Sequence, residues 1–225
     1  MGLADFFRSY KLPPYLWRSQ CFAFLRESDY TSGTVEPLVK LFGSPARLKM
    51  LRLFVFNQDA VFTLAEIVQR TKLSKSVARK ELAEILSAGL IRKKGTNVPA
   101  HYQTNPSFGH LDALDAFIRE TTSLRPASIL ASLKRAGALR LVALSGLFTG
   151  ILDTQIDLLV VGDHLDERVL ANAVHSLEAE LGREIRYASF ATADFRYRLG
   201  VYDRLLRDVF DYPHRLLVDK IGLQK

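Results

Sequence analysis

The stretch SKSVARKELAEILSAGLIRKKG, residues 74–95, constrains what this chain can fold into more than any other. Ser74 suits a helix N-cap, because its hydroxyl accepts from the free N–H groups of a first turn, and Gly89 suits the stop. Between them Val77, Leu82, Ile85 and Leu86 recur at spacings that share one apolar face. Lys75, Ser76, Arg79 and Lys80 fall on the other side. A helix of this kind packs along one face and offers a basic face to a partner.

The flanks extend the pattern. Ser44-Pro45 opens an earlier helix, with serine as cap and proline at the first position, where its missing N–H is not needed. Leu48, Leu51, Leu53, Phe54 and Val55 make that helix a core element. VFTLAEIVQRTKL then gives a β-favouring run at Val61 to Leu64, a helix over Ala65 to Thr71 and a short turn into Ser74. This is a helix-turn-helix spacing, whose second helix enters the major groove of duplex DNA. Beyond Gly89, LIRKK and AHYQT read as two strands around GTNVP, which makes a wing.

SPARLKMLRLF, TLAEIVQRTKLSKSVARKELAEILSAGLIRKKG and AHYQTNPSF together resemble the winged helix-turn-helix of small bacterial and archaeal transcription regulators of the arsenic-repressor type. The bland alternative is a winged helix used only for protein contacts. Charge decides against it. The net charge of +7 divides as +1 over residues 1–43, +6 over 44–125 and zero over 126–225. A local excess of this kind suits a polyanion, since neutralising phosphates releases condensed counterions. The expected partner is double-stranded DNA. Lys75, Ser76, Arg79 and Lys80 are placed in the major groove, where arginine and lysine donate to guanine acceptors. Lys72, Lys93, Lys94 and His101 are placed on phosphates or the flanking groove, with Asn97 at the wing tip and Ser74 positioning the helix.

Cys21 is the single cysteine, so a disulfide framework within one chain is excluded and a reducing cytoplasm is expected. No apolar run reaches the length of a membrane span, and MGLADFFRSYKLPP, with charge inside its apolar part, does not read as a signal peptide. Residues 1–43 form an extension in which Leu16, Trp17, Phe22, Phe24 and Leu25 suit a buried helix or a strand equally; packing or dimer contact is the expected role. His101, His110, His164, His175 and His214 show no metal-like pairing, and neither metal nor cofactor is expected.

Winged helix residues 44–105 are followed by a connecting segment, 106–125, with Leu111, Leu114 and Phe117 at helical spacing. The resemblance implies that this helix supplies contacts in a homodimer. RPASILASLKRAG reads as a helix opening a further domain, 126–225. LRLVALSG and QIDLLVVGD suit strands buried on both faces, Asp166 to Leu181 alternates at helical period, and EIRYASF is a third strand. FRYRLGVYDRLLRDVF gives one or two helices and RLLVDKI a last edge strand. The fold class is a two-domain α+β and α/β chain, a winged helix-turn-helix before a mixed sheet.

The order of strand, SG loop, strand, helix and strand resembles the minimal nucleotidyltransferase fold. That family seats nucleotide phosphates on a Gly-Ser turn and holds metal ions with an Asp-x-Asp pair and a third acid from the next strand. Here Ser145-Gly146 stands at the turn, Gln155 replaces the first carboxylate, Asp157 remains, and Arg186 and Tyr187 lie around the third position. Asp153 and Asp163 sit where the fold does not use them. A scaffold without catalysis is expected, with Ser145, Gly146, Asp157 and Arg186 lining a vestigial cleft open to a nucleotide or other anionic effector. Arg196, Arg198, Asp203, Arg204, Arg207 and Asp208 read as an ion-pair lattice. The tail resembles regulators that couple a winged helix to such a degraded domain; the resemblance does not imply what that domain does, and a sensor, dimerisation or structural module is expected. The rival readings are an active metal-dependent nucleotidyltransferase and an antitoxin-like member of a toxin–antitoxin pair.

Overall fold

The computed structural model describes residues 37–95, 99–122, 124–150 and 154–223. Leu16, Trp17, Phe22, Phe24 and Leu25 of the N-terminal extension, Asn97 and Asp153 lie outside them. The chain divides into two units between Leu41 and Phe42, and both sheets belong to the second. Around the boundary runs a short helix, α1 (Pro37–Phe42).

The first half of Phe42–Lys225 folds as α2 (Pro45–Phe56), β1 (Val61–Thr63), α3 (Leu64–Thr71), α4 (Lys75–Ser87), β2 (Ile91–Lys94), β3 (His101–Thr104) and α5 (Leu111–Thr121). The three strands pair antiparallel in the order β1-β3-β2. This is a winged helix-turn-helix arrangement. Its helix starts follow the sequence signals. Ser44 accepts from the Arg47 N–H, and at α3 Thr63 and Glu66 form a reciprocal capping box. Met50, Phe54, Phe62, Ile67, Leu82, Ile85 and Ile91 form one core, with the Phe54 and Phe62 rings edge to face at 5.7 Å. The wing is tied down at its base. The Thr104 hydroxyl donates to the Phe54 carbonyl at 2.8 Å, and the Asn105 amide donates to the Gly89 carbonyl at 2.9 Å.

The second half continues as α6 (Pro126–Leu133), β4 (Ala138–Leu144), β5 (Leu158–Asp163), α7 (Glu167–Leu181), β6 (Tyr187–Phe190), α8 (Thr192–Gly200), α9 (Arg204–Phe210) and β7 (Arg215–Asp219). Strand order is β6-β5-β4-β7; β5 and β6 run parallel, the other pairs antiparallel. The two apolar runs of the sequence become the central strands, buried on both faces as expected. Val142, Leu144, Leu158 and Val160 pack beneath Ile129, Leu133, Leu170 and Val174, while Leu141, Ala143, Leu159 and Val161 pack against Phe195, Leu206 and Val209. The third strand starts at Tyr187, later than EIRYASF suggested, so Arg186 precedes it.

Two apolar assignments are corrected by the packing. In α4 it is Ala78 that is buried beside Leu82 and Ile85, whereas Val77 is 39% exposed. In α5 Leu111 and Ile118 are buried and Phe117 faces outward. Both errors have the same origin: a seven-residue window admits two neighbouring faces, and the larger apolar residue drew the assignment away from the one in register.

The two halves are joined through α2 and the end of α7. Gly182 caps α7 at φ +73°, a left-handed conformation favouring glycine, and its position leaves no room for a side chain. A Cβ there would lie 2.6 Å from the backbone and Cβ of Arg52. Gly182→Ala therefore combines left-handed strain with overlap and should cost about 2–5 kcal/mol. Gly222→Ala, at φ +83° with nothing near its Cβ, should cost only about 1 kcal/mol. Thermal unfolding of the two variants side by side checks this; equal losses would show that the α2–α7 contact is not tight.

Candidate nucleic-acid interface

Helix α4 is held from beneath by both packing and charge. Ala78, Leu82 and Ile85 enter the core, and between them Glu81 is also buried. Its carboxylate accepts from Arg47 Nε of α2 at 2.8 Å, and the Arg47 guanidinium lies 3.9 Å from Glu84. A buried carboxylate needs such a partner, and this one fixes the rotation of α4 about its axis. Sequence reading missed the pair. The signal was an acid set within the register of Ala78, Leu82 and Ile85.

The rotation fixed in this way presents Lys75, Ser76, Arg79 and Lys80 to solvent. None of the three cations makes an ion pair among the described residues. Ser74 caps the helix, accepting from the Val77 N–H at 3.4 Å, and the Ser76 hydroxyl lies 3.2 Å from that of Ser74. Lys72 adopts left-handed backbone, φ +55°, at the α3 C-cap; this lets so short a turn reverse the chain between α3 and α4. Its side chain is exposed.

On the wing, Arg92, Lys93 and Lys94 are all exposed. Arg92 was not among the residues singled out in the sequence, although strand alternation puts it on the same side as Lys94. His101 lies on the central strand, opposite Thr63 on one side and Lys94 on the other, and is half-buried. The structure thus brings Lys72, the α4 face and the β2 cations onto one half of the unit.

Ser145, Gly146, Asp157 and Arg186 also meet, but they close on one another. Arg186 donates to Asp157 through Nε at 2.9 Å and Nη2 at 2.8 Å, and its backbone N–H donates at 3.0 Å. The Leu147 N–H adds a fourth bond at 2.8 Å. A Cβ on Gly146 would lie 2.2 Å from the Asp157 carboxylate, so the turn presses directly onto it. The Ser145 hydroxyl donates to the Ile156 carbonyl at 2.6 Å, and Gln155 lies outside this cluster, its N–H donating to Asp208. Burial alone would raise the Asp157 carboxyl, but the Arg186 guanidinium and two backbone N–H groups outweigh it and hold the carboxyl below its ordinary value. Of the expected lattice, Arg198 pairs with Asp194 and Asp203, and Arg207 pairs with Asp211 instead of Asp208.

No family model and no curated protein matches the chain. Among solved structures it matches that of Lactococcus lactis ZitR, wild type in complex with DNA, at 20% identity. The match covers 54% of this chain and 78% of that one with a TM-score of 0.29.

A carboxyl depressed in the folded state contributes stability above its unfolded pKa of about 4 and loses it as pH falls through the folded value. The wild type should accordingly lose the Asp157 contribution only on acidification below about pH 4. Asp157→Asn should lose it at every pH, by about 2–3 kcal/mol, because the half-exposed Arg186 recovers part of its hydration. Unfolding curves of both proteins from neutral to acid pH check this, and parallel pH profiles would refute it.

Proposed function

We propose that this chain is a sequence-specific DNA-binding transcription regulator whose C-terminal domain does no nucleotidyl transfer. One observation carries the DNA reading: the outward face of α4 holds Lys75, Arg79 and Lys80 without ion-pair partners among the described residues, continued by Lys72 and by Arg92, Lys93 and Lys94. Charge left unpaired across two adjacent elements is what a phosphate backbone compensates. Arg79 and Lys75 read base edges, Ser76 and Lys80 flank them, and the β2 cations with Lys72 hold phosphates.

The case against catalysis in the second domain rests on Asp157. Its two oxygens accept four N–H bonds, and a metal ion would have to displace a guanidinium to reach them. Gln155 contributes no charge. Replacing two acids by an amide and an arginine turns a cation site into a structural ion pair, which supports the reading of a retained scaffold. Homodimerisation belongs to the same proposal, with Phe117 of α5 partly exposed as a contact residue.

Equilibrium titration of labelled duplexes selected from genomic fragments tests the proposal. With about five phosphate contacts, a fourfold rise in salt should weaken binding roughly 500-fold, and saturation should occur at two chains per duplex. Arg79→Ala should lose roughly 1–3 kcal/mol of discrimination between selected and random duplex, whereas Lys94→Ala should weaken both alike. Affinity independent of salt, or identical losses for the two variants, would refute the assigned interface.

A further inference from the structure

A cavity of about 300 Å³ opens where α3 meets the end of α7, lined by Arg70 and Lys72 on one side and by His175, Glu178, Arg183, Glu184 and Arg186 on the other. Its charges do not cancel. Glu178 accepts from the Ile185 N–H through one oxygen and meets His175 Nδ1 at 2.7 Å through the other. Glu184 pairs with Arg70, and Arg186 is committed to Asp157. That leaves Lys72 and Arg183 as lining cations with no carboxylate partner among the described residues. Arg183 lies over one face of Phe56 at 5.1 Å, and Arg119 approaches the same ring at 5.3 Å.

We propose that this cavity binds a small organic dianion, a phosphate monoester or a dicarboxylate, between Lys72 and Arg183, and that the bound dianion weakens DNA binding. Two cations without an ion-pair partner among the described residues, from different halves of the unit, line a concave site of the size that ligand pockets begin at, in the kind of place, a junction between packed layers, where such pockets occur. Arg183 is half-buried, and burial together with repulsion from Arg119 outweighs the attraction of Asp115 and Asp157 and holds it below its ordinary pKa, so a bound anion favours its charged form. The guanidinium suits a fork-like contact to a phosphate or carboxylate, while Lys72 contributes a point charge. The effect on DNA rests on the reading above. Lys72 stands two residues before the α4 cap and is placed on a DNA phosphate, so a dianion bound to it removes a phosphate contact and adds repulsion.

The full chain is unfolded thermally in EDTA with sodium phosphate, adenosine monophosphate or sodium succinate, each against sodium chloride at matched ionic strength. At least one dianion should raise the midpoint saturably by several degrees. Lys72→Ala and Arg183→Lys should each weaken that ligand tenfold or more, and Arg196→Ala and Arg204→Ala should leave it unchanged. Lys72 is exposed, so its variant keeps the fold. The absence of a saturable shift with all three, or a shift indifferent to both cavity variants, overturns the site. In the DNA titration a saturating dianion should lower affinity about tenfold. Unchanged affinity overturns the coupling. Stabilisation by a dianion of a chain that binds no duplex upholds the cavity and defeats the DNA reading instead.

Discussion

Arg52 holds the two halves of the structure together. It is 4% exposed, between Leu51 and Leu53 of α2, and donates to the Thr122 hydroxyl just past α5 and, across the junction, to the Glu180 carbonyl, both at 3.0 Å. A guanidinium so far from water is costly unless its donors are satisfied. The helix end it reaches supplies that satisfaction, because the last carbonyls of a helix have no internal partner. Asn57 repeats the arrangement, donating to the Gly182 carbonyl at 2.8 Å, and Lys49 pairs with Glu180 at 2.7 Å. α2 thereby carries the winged-helix core on one side and the C-terminal half on the other.

That connection couples the C-terminal half mechanically to the winged helix. α3 and α4 rest on α2, and α2 rests on α7, so anything bound at the end of α7 sits one layer from the basic face. The route is short and made of paired groups: Asp157 to Arg186, then Glu184 to Arg70 on α3. Asp157, held by Arg186, is thus part of the support beneath α3.

Much of this was legible in the sequence, and unevenly so. Ser44, Ser74 and Gly89 marked helix ends because capping is local, and the LRLVALSG and DLLVVGD runs marked central strands because burial on both faces leaves no alternation. Ala78 in place of Val77, and the outward turn of Phe117, were not legible, since helical register is settled by what lies opposite. Arg52 is not set apart in the sequence from Arg47 and Lys49 of the same helix. Its role depends on Glu180, more than a hundred positions away, and no local pattern carries that information. The Arg47–Glu81 pair was hidden for the same reason, although an acid in the apolar register of α4 was a clue. The exposure of Lys75, Ser76, Arg79 and Lys80 on α4 was readable because they lie opposite Leu82 and Ile85.

The central claim is that one basic face, on α4 and β2, meets duplex DNA while the far sheet does not. Lysine acetylation of the full chain with and without a selected duplex tests it most directly. The duplex should shield Lys72, Lys75, Lys80, Lys93 and Lys94 and leave Lys134 and Lys220, exposed in the C-terminal half, fully reactive. Uniform protection of all seven, or protection centred on Lys134 and Lys220, would contradict the account.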